Sequence, residues 1–150
     1  MGPEPRVLTV SWEEMTVPAL RAGTVVTSQV RFRVGDRCEV QVRLPDGYTA
    51  QGEGPDLFDA LIAARRGLEA HGFLLGCNGG RRDVYPSAML QQTSQGRRAY
   101  VLSSPPGGSR LPAVDIFAPA PDLSLVATVD EQRASFERWI DGLPDEAPRK

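Results

Sequence analysis

Alternation of apolar and polar residues within 24–44, clearest from Val30 onward, is the feature that most restricts the fold of this 150-residue chain. Successive side chains of a β-strand point to opposite faces, so an alternating run forms a strand with one buried and one solvated face. The apolar members are Val30, Phe32 and Val34 in a first run and Cys38, Val40, Val42 and Leu44 in a second. The pattern therefore predicts two antiparallel strands joined near Gly35.

The length of the connecting loop determines which residues lie opposite each other. A two-residue turn at Gly35-Asp36 would place Val34 opposite Arg37 and mix the two faces, because a shift of one residue inverts a strand. A three-residue loop at 35–37 keeps the apolar residues on one face. The predicted pairs are Phe32 with Val40, Val30 with Val42, and the oppositely charged Arg33 with Glu39.

A third strand is predicted at 48–53, after a second three-residue loop, Pro45-Asp46-Gly47. Glycine at the end of this loop suits a residue with positive φ. The loop length places Ala50 opposite Val42, so both loops agree on one apolar face. The three strands therefore form a meander with a defined register.

A helix is predicted after these strands, with Asp56 as its amino-terminal cap. Leu57, Leu61, Ala64 and Leu68 recur at helical spacing, whereas Arg65, Arg66 and Glu69 fall outside this stripe. Gly72 ends the helix, since glycine is favoured just past a helix terminus. Three strands followed by a helix that covers their apolar face indicate an α+β layer fold.

Shorter elements complete the predicted fold. Strands are expected at 73–77, 97–102 and 114–117, with an extra edge strand at 7–12, and Thr128 with Glu131 forms a capping box that opens a final helix. The predicted class is α+β: an antiparallel meander sheet packed on one helix, with further short strands and a C-terminal helix. We expect a single domain, 1–150, with about 1–6 and 144–150 frayed.

Composition bears on location and on cofactors. No apolar run approaches the ~20 residues of a membrane span, and the amino terminus lacks the layout of a secretion signal. Two cysteines and one histidine are too few for a disulfide framework or a zinc site. We therefore expect a cytoplasmic protein that holds neither a metal ion nor another cofactor.

Charge and the polar face of the sheet bear on partners. The net charge is −2, so no strong field attracts nucleic acid or a membrane surface. RNA-binding sheets stack bases on aromatic side chains, and none is expected on this face. Its residues are Gln29, Arg31, Arg33, Gln41, Arg43, Thr49 and Gln51. We expect no nucleic acid and no membrane as partner, and the sequence does not indicate an oligomeric state.

The segment 77–89, CNGGRRDVYPSAM, concentrates polar side chains. It is predicted to hold a nine-residue loop, 78–86, between a strand and a short helix, 88–92, that Ser87 caps, and such loops often carry function. Backbone amides of the Asn-Gly-Gly run, planar guanidinium groups and a helix start all suit an anion or carboxylate. The candidate binding residues are Asn78, Arg81, Arg82, Asp83, Tyr85 and Ser87, and no catalytic or metal-ligating residue is identified.

A purely structural role accounts for the same residues. Asp83 could pair with one of the two arginines, and the Asn-Gly-Gly run permits positive φ. Tyr85 and Pro86 could wedge an aromatic ring into the core and stop the strand, while Ser87 starts the helix. The sequence leaves the structural role and the recognition site open as alternatives.

The same segment resembles a pattern, C-N-G-x-R-x-D-V-Y-P-S-x-M, of small uncharacterised proteins of high-GC Gram-positive bacteria. A looser likeness extends to VDIFAPA at 114–120 and to VDEQRASFERW at 129–139. The resemblance implies that the motif recurs. It implies no activity, cofactor or partner.

No catalytic set is identified in the sequence. His71 and Cys77 fall at a helix end and a strand end, too far apart for a base and its nucleophile, and the acidic pairs at 13–14 and 130–131 diverge because they are adjacent. We therefore predict a non-enzymatic cytosolic protein-interaction module, adaptor- or immunity-protein-like, that binds a protein partner through the 78–89 loop. The alternative is a small enzyme or sensor that binds an anionic small molecule at the same loop.

Overall fold

The computed structural model describes residues 11–102 and 111–142, and its main element is a five-stranded antiparallel sheet in the order β4-β3-β2-β1-β5. The strands are β1 (Glu13–Arg21), β2 (Thr24–Arg33), β3 (Cys38–Arg43), β4 (Thr49–Gly54) and β5 (Leu74–Leu75). The segments predicted to fray, 1–6 and 144–150, lie outside the described residues.

The predicted register of the meander is confirmed. Phe32 lies opposite Val40 and Val30 opposite Val42, and Ala50 is the partner of Val42 on β4. The charged pair also forms: Arg33 Nη2 lies 2.9 Å from Glu39 Oε2. Gly47 has a φ of 94°, as the three-residue loop requires. The period of the pattern and the parity of the loops were therefore sufficient to align three strands.

The prediction of an extra edge strand at 7–12 is wrong where it can be compared: Ser11 and Trp12 precede β1, and residues 7–10 lie outside the described range. The additional strand is β1, which pairs with β2 from Glu13 opposite Phe32 to Arg21 opposite Thr24. The connecting turn has positive φ at both central residues, 46° at Ala22 and 82° at Gly23, which is the type I′ geometry. The pattern missed β1 because Pro18 interrupts it, and proline argues against a central strand.

The helix α1 (Leu57–Ala70) covers the apolar face of the sheet. Its cap is the predicted one, since the Asp56 side chain accepts a hydrogen bond from the Asp59 N–H at 2.8 Å. Gly72, with a φ of 89°, follows the helix end. Gly52 allows α1 to lie directly on β4, because a Cβ there would overlap the Ala60 carbonyl oxygen. The predicted packing of the meander on one helix is confirmed.

A second, three-stranded sheet has the order β6-β7-β8. Its strands are β6 (Val84–Tyr85), β7 (Arg98–Val101) and β8 (Ala113–Asp115), and the remaining helices are α2 (Ala88–Thr93) and α3 (Val129–Asp141). The strands predicted at 97–102 and 114–117 are present but shorter or shifted, and the one predicted at 73–77 is reduced to β5. The capping box of α3 is complete, with both reciprocal hydrogen bonds between Thr128 and Glu131.

The hydrophobic core joins the two sheets. Phe32 of the large sheet stacks on Phe117, which follows β8, with 3.7 Å between ring centroids. Ile116, Val84 and Ala99 are fully buried in the same core. The predicted α+β class is therefore confirmed. Among the residues described, no helix has the length and apolar character needed to cross a membrane.

Candidate functional site

The segment 78–86 is not the open loop that was predicted. Asn78–Gly80 forms a buried turn of 3-10 helix, and Val84–Tyr85 forms β6. The backbone amides that could have converged on a ligand instead bond to the chain: Asn78 N–H donates to the Ala118 carbonyl and Gly79 N–H to the Ile116 carbonyl, each at 2.8 Å. Buried amides must find acceptors, and the strand end at 115–118 supplies them.

Arg81 binds two other candidate residues rather than facing solvent. Its Nε and Nη2 atoms donate to the two carboxylate oxygens of Asp83, at 2.9 and 2.8 Å, in a bidentate pair. Its Nη1 atom donates to Asn78 Oδ1 at 3.0 Å. Arg81 is only 8% exposed and Asn78 6%. These three predicted site residues therefore lie together, but they satisfy one another.

Arg65 of α1 lies behind this cluster and was missed by the sequence-based prediction, which placed it outside the apolar stripe. It is 1% exposed, and its guanidinium donates to the Gly79 carbonyl at 3.1 Å, the Ala127 carbonyl at 2.9 Å and Gln132 Oε1 at 2.6 Å. Burial lowers the pKa of this guanidinium. The spacing in the sequence could have indicated this burial. Position 65 lies four residues after Leu61 and therefore belongs to the buried stripe of α1.

Gln132 of α3 completes the support of the segment. Its Nε2 atom donates to three backbone carbonyls, those of Gly79 at 2.8 Å and of Arg81 and Val84 at 2.9 Å each. The residue is 1% exposed. Gln132 lies three residues after the buried Val129, a spacing that could have placed it on the inner face. Arg65 and Gln132 together hold the carbonyls of the 79–84 backbone.

Cys77 is an inert thiol in this setting. It is fully buried, and burial raises its pKa from 9.0 to about 11, with the nearby Arg65 opposing the rise. His71 is engaged elsewhere, with its Nε2 atom 3.1 Å from Asp46 Oδ2 and its ring stacked on Tyr48. The structure thus pairs neither residue with the other for nucleophilic chemistry.

The remaining candidate residues, Arg82, Ser87 and Tyr85, lie nearer the surface. Arg82 is exposed, and its Nη1 atom donates to the Ser124 carbonyl at 2.9 Å. Ser87 caps α2 as predicted, since its Oγ accepts from the Leu90 N–H at 3.1 Å. Tyr85 is half-buried and stacks on Phe136 of α3 at 4.1 Å between ring centroids. The part of the segment open to a partner is therefore Arg82 and the end at 85–89 rather than the buried turn at 78–81.

A groove of about 530 Å³ begins at Tyr85 and runs between α2 and α3. We refer to it as the apolar groove, and its main lining residues are Tyr85, Pro86, Tyr100, Phe136, Trp139 and Ile140. Two large apolar side chains on these helices are exposed, Met89 at 66% and Ile140 at 44%. Aromatic walls and exposed apolar side chains make this surface suited to contacts with another apolar surface.

The polar face of the large sheet differs from its prediction in one respect. Trp12 lies on this face, with its ring 4.0 Å from the Arg31 guanidinium carbon and 4.5 Å from that of Arg33. The expectation that the face carries no aromatic residue is therefore wrong. The cause is the misplaced first strand, because Trp12 precedes β1 and continues its polar face. The ring is stacked on arginines, as in a cation–π contact.

The described parts of the chain contain no group of three or more His, Cys, Asp or Glu side chains that could hold a metal ion. No protein-family model matches the chain, and no curated protein matches it either.

Proposed function

We propose that this protein is a cytosolic interaction module, of the adaptor or immunity-protein kind, that binds a protein partner through the apolar groove and the adjoining residues 85–89. The observation that carries the proposal is the combination of an aromatic groove with the exposed Met89 beside it. Tyrosine, tryptophan and methionine are enriched at protein interfaces. The proposal retains the predicted segment but moves its binding surface from the arginines to the end that includes Tyr85.

The support beneath the groove favours this function. Tyr85 is held between Phe136, stacked at 4.1 Å, and Phe58, in edge contact at 5.2 Å between centroids. The backbone just before Tyr85 is held by Gln132, which donates to the Val84 carbonyl, and by the Arg81–Asp83 pair. Side chains that are already ordered lose little conformational entropy when a partner binds. In this proposal the polar network holds the backbone beneath the interface and does not itself form the contact surface.

The expected occupant is the apolar face of an amphipathic segment of the partner. A groove between two helices accepts apolar side chains at helical spacing, which is a recurrent mode of peptide recognition. Ser87 and Gln91 lie along the wall and can supply polar contacts. Arg82 is exposed outside the groove, three residues before Tyr85.

The alternative function, binding of an anionic small molecule at the same segment, has less support from the geometry. The guanidinium of Arg81 already binds Asp83 and Asn78, and the amides of Asn78 and Gly79 bind backbone carbonyls. Arg82 alone would remain, without the convergent donors that such a site needs. We therefore do not propose it.

Site-specific photo-crosslinking in the cell tests the proposal. A photoreactive phenylalanine analogue replaces Met89, and the matched control replaces Val25, an exposed apolar residue (53%) of β2 that does not line the groove. We expect an adduct with a second protein at position 89 and none at position 25. Ile140→Asp should abolish the adduct, because it places a charge in the groove. Equal adducts at both positions, or adducts confined to the protein's own chain, would contradict the proposal.

A further inference from the structure

The polar face of the five-stranded sheet carries a cleft of about 250 Å³ that the proposed interaction does not use. We propose that this polar cleft is a second binding site, for a small amino-acid-like zwitterion. Its side chains are Glu14, Gln29, Arg31, Gln41, Arg43 and Thr49. The inference is independent of the apolar groove and of any protein partner.

The strand register places the cleft side chains in two adjacent rows. Glu14 lies opposite Arg31, which lies opposite Gln41, and in the next row Arg43 lies between Gln29 and Thr49. Arg31 and Arg43 are diagonal neighbours, so their Cβ atoms are about 7–8 Å apart and both guanidinium groups can reach one carboxylate. Glu14 lies two strands from Arg43, about 10 Å across the sheet, but directly opposite Arg31 on the neighbouring strand.

The charged groups of the cleft are left without charged partners, in contrast to their neighbours. Arg33 pairs with Glu39 and Arg37 with Glu53 on the same face. Within the described residues, the ion pairs include none made by Arg31, Arg43 or Glu14. Arg31 also has a buried Nε atom without a hydrogen-bond partner. Because that atom is closed to solvent, a bound carboxylate would have to meet the Nη atoms of this guanidinium instead.

Trp12 orders the cationic side of the cleft. Its ring stacks on the guanidinium of Arg31 at 4.0 Å and so restricts the plane of that group. A guanidinium held in one plane recognises the planar, two-oxygen edge of a carboxylate better than a freely rotating cation does. Trp12 therefore orders the Arg31 guanidinium before a ligand arrives.

The arrangement of charge selects the class of ligand. The guanidinium groups of Arg31 and Arg43 attract a carboxylate, while Glu14, which neighbours Arg31 on β1, attracts an ammonium group and repels a second negative charge. Inorganic phosphate and simple dianions are disfavoured by the same carboxylate. A cleft of about 250 Å³ is below the size of drug-sized pockets, so the ligand must be compact. An amino-acid-like zwitterion meets all three conditions.

Titrations followed by amide NMR spectra test the inference. The probes are L-alanine, L-glutamate and L-lysine, with acetate and inorganic phosphate as comparison ligands. We expect at least one amino acid to shift the signals of residues 29–31 and 41–43 in a saturable way. Its dissociation constant should be about tenfold lower than that of acetate or phosphate. The indole N–H of Trp12 should shift in parallel because it stacks on Arg31.

Three exposed-residue variants make the test specific. Arg43→Gln should weaken binding about tenfold, and Glu14→Gln should remove the preference for zwitterions over acetate. Arg98→Gln, at an exposed arginine of β7, is the matched control and should change neither. No saturable shift with any of the three amino acids up to about 10 mM, or binding of phosphate as tight as theirs, would overturn the inference. The groove variant Ile140→Asp should leave this binding unchanged, which separates it from the proposed function.

Discussion

The guanidinium of Arg65 donates to the side-chain oxygen of Gln132 at 2.6 Å, and both residues are 1% exposed. The contact links α1 to α3 across 67 positions of the chain. Within the described residues Arg65 makes no salt bridge, so its charge is stabilised by the Gln132 amide and by the carbonyls of Gly79 and Ala127. Removing either partner leaves buried polar groups without compensation.

Arg65→Met should lower the free energy of unfolding by about 3 kcal/mol, because three buried acceptors lose their donor. Urea denaturation monitored by tryptophan fluorescence measures the change. Arg66→Met is the matched control, since its Nη2 atom pairs with Asp130 at the surface and should contribute at most about 1 kcal/mol. Similar losses for both variants would contradict the role of Arg65.

Arg81→Ala should cost about 2 kcal/mol of stability, whereas Arg82→Ala should cost less than about 0.5 kcal/mol. The first removes a bidentate pair with Asp83 and a bond to Asn78, and the second removes one exposed bond to a carbonyl. The same denaturation assay compares these neighbouring arginines. A greater loss from Arg82 would mean that the support of the segment has been assigned to the wrong side chain.

Cys77 should make stability fall in alkaline solution. Burial raises its pKa in the folded state from 9.0 to about 11, so the folded chain keeps a proton that the unfolded chain loses. The stability that the protonated Cys77 contributes to the folded state is fully present below about pH 9. It is lost as pH rises toward 11, at up to about 1.4 kcal/mol of unfolding free energy per pH unit.

Denaturation at a series of pH values measures that slope, and Cys77→Ala supplies the comparison. Burial also raises the pKa of Cys38, so the slope of the variant should be reduced rather than zero. In addition, neither thiol should react with a thiol reagent at pH 8 until the protein is unfolded, because both are buried. Identical slopes in the two proteins, or rapid labelling of the folded chain, would count against this account.

Ala22→Asn should raise stability by about 0.5–1 kcal/mol. Ala22 has a φ of 46° in the β1–β2 turn, where an alanine side chain is strained and asparagine is tolerated. The resulting Asn-Gly pair is the preferred sequence for this turn type. Thermal unfolding measures the effect, with Ala113→Asn in β8 as a control that should not stabilise. Destabilisation by the turn variant would contradict the assigned turn geometry.

Elements whose signal is local could be predicted from the sequence. The alternation of 30–44 and two three-residue loops gave the correct register of β2, β3 and β4. Asp56, Ser87 and Thr128 were identified as caps because capping chemistry depends on residues three positions away.

The candidate site was harder to predict because its decisive contacts are distant in sequence. No local pattern shows that Arg65 and Gln132 would meet behind the segment, or that Ile116 and Ala118 would take up its amides. An arginine in a loop suggests that it binds a ligand or a partner. Arg81 is buried instead because of tertiary contacts that the local sequence does not show. β1 was missed for a related reason, since its pairing with both β2 and β5 outweighs the disadvantage of Pro18.

The position of Gln132 and Ala127 in the chain affects the order in which the protein is completed during synthesis. The ribosome produces Arg65 long before these acceptors, so a nascent chain that ends near position 100 contains the meander, α1 and the Gly79 carbonyl but neither Ala127 nor Gln132. Such an intermediate would have to keep the arginine hydrated, which delays final packing of α1. The last acceptors of the Arg65 guanidinium therefore become available only when the segment that contains Ala127 and Gln132 has been synthesised.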